Sequence, residues 1–468
     1  MALLVGCLLL CAGCRVGPDY QPPATALPAQ WSVQEGSTLL TKAEMDRQWW
    51  KNFNDPILTQ LIDKAAQDNF DLKIAEARLA GARASVAQAD ATLLPSGSIR
   101  GTATREANQM ALPGGNTTPF AALLHTPYNI FQSGFDASWE LDLFGGHQRA
   151  KESAEAQRER VEASRDTVRV SLLAEVARTY VIIRQQQARL AIAEALITAD
   201  ERTLAIAQQR FAEGQAPRLE VIRAEAALEQ AQTALPDLRN RVAQAEYSLD
   251  LLLGEQPGAA HALVSTDGPV PDTHLLVLAT PAVVIAQRPD IRAAERQLAV
   301  ATAQQGVAVA QFFPNISLSG FFGALSTSTS DLTSGGNHSW LTTGGISWPI
   351  LSYGSLSANL DAADAQQQEA MATYQKAIIA ALSDVERALA AYTEQEKSVH
   401  SLVNEFEQRR RARAVAQERY QEGATSRLEV LEVDRTFYTT QDRLITARAE
   451  CAQDLIAVYK SLGGGWVE

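Results

Sequence analysis

Two stretches of this chain, His147–Glu213 and Ser355–Glu422, contain neither glycine nor proline. Each runs for roughly 67 residues, which as one helix reaches about 100 Å at ~1.5 Å per residue. A rod of that length exceeds the width of an ordinary globular core, so the chain should be elongated, with its helices packed along long neighbours. The first stretch carries an apolar seam at Val176, Ile183, Leu190, Ile197, Leu204 and Phe211; the second repeats it at Val385, Tyr392, Val399 and Phe406. A seven-residue period calls for coiled-coil packing. Arg413 interrupts the second seam.

Both rods end in nearly the same string, RFAEGQAPRLEV from Arg210 and RYQEGATSRLEV from Arg419. Gly214 and Gly423 can take the left-handed conformation that terminates a helix, and new helices are expected from about Pro217 and Ser426. The string therefore reads as a tip where a rod folds back, with return helices to about Leu253 and Leu462. Pro236 should kink only the first of them. A shift of about 209 residues also places Trp139 on Trp348 and Leu253-Gly254 on Leu462-Gly463. A shift of about 219 places Asp71, Glu76, Leu79, Pro95 and Gly101 on Asp290, Glu295, Leu298, Pro314 and Gly320. The chain is thus an internal tandem duplication, joined by the Gly/Pro-rich segment Glu255–His274. Shorter helices, about Pro56–Leu93 and Pro281–Phe313, are available to pack beside the rods.

Between short helices and rods the period changes to two. Phe131, Phe135, Ala137, Trp139 and Leu141 alternate with Gln132, Gly134, Asp136, Ser138 and Glu140, which reads as a strand with one apolar face. Trp340–Trp348 alternates more weakly, and Ser96–Thr104 and Ile316–Ala324 start after Pro95 and Pro314. Four strands cannot close a barrel, and an open sheet edge cannot face lipid. If these strands cross a membrane, several protomers share one barrel; a small soluble sheet covered by helices is the alternative.

The net charge of −13 over 468 residues argues against a nucleic-acid partner, which requires a basic footprint. The opening MALLVGCLLLCAGC is too short an apolar run to span a bilayer and reads as a secretion signal, although its missing basic residues point to a translation start further upstream. Three of the four cysteines, Cys7, Cys11 and Cys14, sit in this leader, so after cleavage no intrachain disulfide framework is expected. Ala12-Gly13-Cys14 resembles the end of a bacterial lipobox, making Cys14 the expected acylated residue, although Cys11 stands where an aliphatic residue is usual.

The strings CRVGPDYQPP from Cys14, RPDIRAAERQLAVATAQ from Arg288, FFPNISLSG from Phe312, the two tips and YKSLGGGW from Tyr459 occur in an order and spacing that resemble a TolC-like outer-membrane factor, in the lipoprotein branch serving RND efflux pumps. The resemblance implies a mixed α/β, mostly α fold: a long antiparallel coiled-coil α-barrel tunnel plus a trimeric 12-stranded transmembrane β-barrel, four strands per protomer. It implies a homotrimer that contacts outer-membrane lipid, a periplasmic adaptor (membrane fusion) protein and an inner-membrane transporter of the RND type. The expected division is a 1–13 signal peptide, a 14–52 lipidated extension, and structural repeats 53–258 and 259–468. The expected adaptor-contacting tip residues are Arg210, Gly214, Leu219, Arg419, Gly423 and Leu428. Leu428, Glu432 and Arg435 share one helix face by their spacing, and the resemblance makes them the periplasmic gate.

An enzyme is not expected. His125, His147, His261, His274, His338 and His400 lack metal-ligand spacing, and HExxH, GxSxG and phosphate-loop strings are missing. Apart from the covalent lipid on Cys14, no cofactor is expected. The rival readings are a lipid-anchored periplasmic coiled-coil scaffold, which leaves the alternating strands and their flanking tryptophans unexplained, and a type I secretion conduit.

Overall fold

The computed structural model describes residues 15–24, 27–32, 40–41, 48–106, 127–266, 268–272, 277–332 and 338–465. The leader with Cys7, Cys11 and Cys14, together with His125 and His274, lies outside the described residues. The helices are α1 (Pro56–Asp68), α2 (Phe70–Thr92), α3 (Gly146–Ala212), α4 (Arg218–Leu253), α5 (Ala259–Val264), α6 (Pro281–Gln287), α7 (Pro289–Ala310), α8 (Tyr353–Gln421) and α9 (Arg427–Leu462). The strands are β1 (Ser96–Glu106), β2 (Tyr128–Leu141), β3 (Asn315–Ser326) and β4 (His338–Ser347), and Leu40–Thr41 pairs in parallel with Val277–Leu278. Two compact units result, one from residues up to Pro23, Ala80–Arg160 and Glu295–Thr373, the other from Ala24–Leu79, Val161–Ala294 and Tyr374 onward.

The long rods form as the sequence requires, and their ends follow local chemistry. Gly214 and Gly423 have φ of +69° and +71°. After each, the next amide reaches back to the last helical turn: Gln215 N donates to Arg210 O and Ala424 N to Arg419 O, both at 2.8 Å. That is a Schellman closure, which satisfies carbonyls a helix end leaves open. Ser426 then caps α9 by accepting from Glu429 N, while Pro217 opens α4 without a side-chain cap. Helix α4 continues through Pro236.

The shorter helices depart from expectation, because each is broken once. Asn69 is extended, and its Oδ1 accepts from Leu72 N at 3.0 Å to start α2 afresh. Its Nδ2 donates to Leu252 O at 2.9 Å, near the end of α4. In the second repeat the break falls at Arg288, where the following Pro289 disfavours helical backbone. Arg288 Nη1 donates to Ser461 O at 2.7 Å, near the end of α9. Asn69 and Arg288 are equivalent under the 219-residue shift, and Leu252 and Ser461 under the 209-residue shift. The duplication has kept one hydrogen bond while changing the side chain that makes it.

In the first unit the strands form one antiparallel sheet in the order β1-β2-β3-β4. The register sets Ile99, Phe135, Phe322 and Trp340 side by side on one face. All four are exposed, Ile99 at 86% and Trp340 at 75%. The other face carries Ser98 and Asp136 but also Phe321 and Leu341, which the alternation did not single out. The sheet's base is tied to the helices by matching indole bonds: Trp139 Nε1 donates to Leu93 O, and Trp348 Nε1 to Phe312 O, both at 3.0 Å.

The second unit holds the main apolar core. Trp49, Leu58, Leu61, Ile62, Val176, Ile183, Leu249, Leu253, Val385 and Leu455 are all at most 1% exposed, and Trp49 stacks on Tyr459 with centroids 5.3 Å apart. The predicted seam therefore supplies core at Val176, Ile183 and Val385, and loses burial toward the tip, where Phe211 is 45% exposed. Asp55 caps α1 by accepting from Ile57 N and Leu58 N, a contribution of about 1 kcal/mol. Its other oxygen accepts from Tyr180 Oη at 2.7 Å. Arg184, 1% exposed, donates to that same hydroxyl and to the carbonyls of Val264 and Thr266, fastening the inter-repeat segment to α3.

Candidate channel gate and docking tips

Helix α9 presents two chemically different faces just beyond the second tip. Val430, Leu431, Asp434 and Phe437 are buried, whereas Leu428, Glu432 and Arg435 are exposed. The three gate candidates thus share a face that the protomer leaves open. What holds that face outward is the packing on the opposite side. Phe406 of α8 meets Phe437 with centroids 5.2 Å apart. Arg413, the residue that interrupts the seam, sits 4.7 Å over the Phe437 ring, and its Nε donates to Asp434 Oδ1 at 2.7 Å. A cation and an anion replace the apolar pair that the heptad would have placed there.

Arg435 has an acidic neighbour on α3. Burial pushes the Asp200 carboxyl above the usual carboxylate range, and the positive charge of Arg435 acts against that rise. Asp200 is 8% exposed, and its Oδ2 has no hydrogen-bond partner among the described residues. Neither Asp200 nor Asp434 stands out in the sequence among many helical acids. The one available signal is Arg413, because a cation in a buried seam calls for a buried anion.

The tips are open to solvent. Gly214, Leu219, Arg419, Gly423 and Leu428 are exposed and Arg210 is partly so. Leu219 and Leu428 occupy equivalent positions and are each 53% exposed. A Cβ on either tip glycine would meet nothing within 4 Å, so glycine is required there by backbone conformation alone. The tip and gate sets meet at Leu428, whereas Cys14 lies outside the described residues. Among the described residues no group of three or more His, Cys, Asp or Glu is placed to hold a metal ion, and no helix is long and apolar enough to cross a membrane.

The family model described as outer membrane efflux protein matches residues 61–255 and 281–464. The chain belongs to that family. A toluene efflux pump outer membrane protein of Pseudomonas putida is 33% identical over 98% of this chain and 97% of its own length. A pyoverdine export outer membrane protein of Pseudomonas aeruginosa is also 33% identical, over 100% of this chain and 97% of its own. The solved outer-membrane channel OprN superimposes with a TM-score of 0.87 at 33% identity, covering 97% of this chain and 100% of that one. This outer membrane efflux protein accordingly has the TolC-like channel fold, resides in the outer membrane and serves as the outer-membrane channel of an efflux pump. Its family consists of channel proteins.

Proposed function

We propose that three copies of this outer membrane efflux protein assemble into one passive conduit, each giving four strands to a 12-stranded barrel and one 53–258 and one 259–468 repeat to a helical tunnel. The carrying observation is the open sheet. Among the described residues strands β1 and β4 each have one partner, and one face bears the exposed row Ile99, Phe135, Phe322 and Trp340. A lipid-facing sheet has to close on itself, because each unpaired backbone group costs several kcal/mol in hydrocarbon. Edge pairing of β1 with β4 of the next copy satisfies that requirement.

In this reading Cys14 carries the lipid, a periplasmic adaptor docks at Arg210, Gly214, Leu219, Arg419, Gly423 and Leu428, and an RND-type inner-membrane transporter supplies the cargo. Leu428 forms an apolar constriction, Glu432 a ring of carboxylates, and Arg435 ties α9 to Asp200 on α3. Relatives named for toluene and for pyoverdine are equally similar to this chain, which supports a conduit whose cargo is chosen elsewhere in the pump.

The test is electrical. Purified protein in planar bilayers should conduct weakly with a preference for cations. Glu432→Gln should weaken that preference, and Arg435→Ala should raise conductance by freeing α9. Unchanged behaviour in both variants removes these residues from the gate. Unheated protein that migrates as a monomer after mild detergent extraction overturns the shared barrel.

A further inference from the structure

We infer that the segment Arg15–Tyr20 is a strap with its own receptor, built from Arg149, Gly306 and Arg296, which seats the residue after Cys14 in the α3/α7 groove and not at its repeat counterpart. The inference rests on the reading of Cys14 as the lipid-bearing residue only for its purpose; the seating stands on contacts.

The receptor lies between the start of α3 and α7. Arg149 is 3% exposed, yet it bonds mainly outside its own helix. Its Nε donates to Val16 O at 3.1 Å, its Nη2 to Gly17 O at 3.0 Å, and the same nitrogen pairs with Asp19 at 2.8 Å. Glu152 accepts from both Arg149 and Arg15. Val16 N donates to Phe144 O at 3.2 Å, so backbone joins backbone as well. Across the groove, a Cβ on Gly17 would stand 2.6 Å from Gly306 Cα, and one on Gly306 would stand 2.8 Å from Arg149 Cδ. Two glycines therefore give the space in which strap, helix and guanidinium meet. At the far end Tyr20 Oη donates to Glu295 at 2.8 Å, while the Arg296 guanidinium covers the Tyr20 ring at 5.3 Å.

The duplication supplies the comparison. By the repeat shifts the counterpart of the α3/α7 pair is α8 with α2; within one copy α2 is paired instead with α3, by Lys151 to Asp90, and α7 with α8, by Gln305 to Asp364, so an α8/α2 groove would form only where copies of the proposed trimer adjoin. Subtracting or adding the repeat shifts puts Ala358 where Arg149 stands (149 plus about 209), Ala87 where Gly306 stands (306 minus about 219), and Ala77 where Arg296 stands (296 minus about 219). The carboxylates are retained: Asp361 matches Glu152, and Glu76 matches Glu295. What differs is the cations and the glycine, the groups that grip the strap. A strap set at the counterpart position would lose the Arg149 donors to two backbone carbonyls and to Asp19, and would meet a methyl in place of Gly306.

Both strap and receptor come from one chain, so the strap can seat before any neighbour arrives. It would fix the lipid-bearing end beside Gly145, close after β2, before the counterpart groove has formed. The strap is thus a positioning element, which sets where the anchor emerges without itself anchoring.

Hydrogen exchange on detergent-purified full-length protein tests this, with the mass of the mature N-terminal peptide read in the same samples. In Arg149→Ala the amide of Val16 should exchange at least tenfold faster, with β1 amides unchanged. Gly306→Ala should do the same while leaving Arg149 in place, and it decides the matter if Arg149→Ala does not fold. Ala358→Gly, in the counterpart groove, should leave the strap unaffected. Strap protection unchanged in both receptor variants overturns the inference. Loss of protection with no lipid on Cys14 in the wild type supports the seating and refutes the lipid reading; lipid present with an unprotected wild-type strap does the reverse.

Discussion

Replacing Arg413 by leucine restores the heptad seam, because Leu204 holds the equivalent place in the first repeat. On hydrophobic patterning alone the change should stabilise the hairpin. The contacts predict the opposite. Asp434 is 7% exposed and receives its hydrogen bond from Arg413, and stranding a buried partner costs about 3–5 kcal/mol. The Arg413 side chain is 29% exposed, so water already screens one end, and we expect about 2 kcal/mol. The cation–π contact with Phe437 adds about 0.5–1 kcal/mol to the loss, offset by burial of the leucine. Two kcal/mol corresponds to about thirtyfold at 1.36 kcal/mol per decade. Hydrogen exchange of the α9 amides 430–440 in detergent-purified protein should therefore accelerate about thirtyfold in Arg413→Leu. The double variant Arg413→Leu/Asp434→Leu should return to within a few-fold of wild type, since replacing a whole buried pair by apolar groups is often neutral. A double variant as labile as the single one, or a single one with unchanged exchange, would show that the pair does not set the α8–α9 packing.

Asn69→Ala removes a helix cap and the bond to Leu252 O, and should lower stability by about 1–2 kcal/mol. Arg288→Ala should cost more in thermal unfolding, because the bond to Ser461 O and the pair with Asp290 are both charge-assisted. Burial pushes the Cys451 thiol up to about 12, so at pH 8 only about one in 10⁴ is thiolate; thiol reagents should label it slowly until the protein is unfolded. Tyr180 is pushed up to about 12 by burial, with Asp55 adding to the rise and Arg184 opposing it. Its folded value exceeds its unfolded one, so its contribution is complete below about pH 10 and declines toward pH 12. Tyr180→Phe should flatten that alkaline loss in unfolding curves. Arg223→Ala should strengthen cation preference in bilayers, because it removes the positive charge at the position equivalent to Glu432; an unchanged reversal potential would separate Arg223 from the pore.

The long rods, the tips and the strands were legible because each rests on a local signal: missing glycine and proline, a glycine pair of ends, a period of two. The breaks at Asn69 and Arg288 were less so. Asn69 stops a helix by bonding a carbonyl about 180 residues away, information no window around it contains, although Pro289 was a local warning that the longer helical pattern obscured. The two exposed leucines at the tips could be placed from the repeat alone. The charges buried behind the proposed gate face could not, since Asp200 and Asp434 differ from their solvated neighbours only in what packs against them. Arg413 was visible as an irregularity, but its meaning depended on a partner 21 positions later on the returning helix.

Where the repeats agree they build the scaffold, and where they diverge they carry the proposed roles. Equivalent tips end in glycines of φ +69° and +71°, and equivalent indoles bond equivalent carbonyls at 3.0 Å. The proposed gate face breaks this pattern. Leu428, Glu432 and Arg435 correspond to Leu219, Arg223 and Ala226 under the shift of about 209 residues, so only leucine is common. In the proposed trimer six hairpins would then contribute six leucines but three carboxylates, alternating with three Arg223 guanidinium groups. Opposite charges at like positions attract across neighbouring hairpins, whereas six carboxylates would repel one another and favour an open end. The apolar constriction can thus have near-sixfold symmetry while the charge around it is threefold. Within the proposed trimer a closed end would follow from the divergence of the repeats, and an adaptor that separates adjacent hairpins would have to separate those charges to open it.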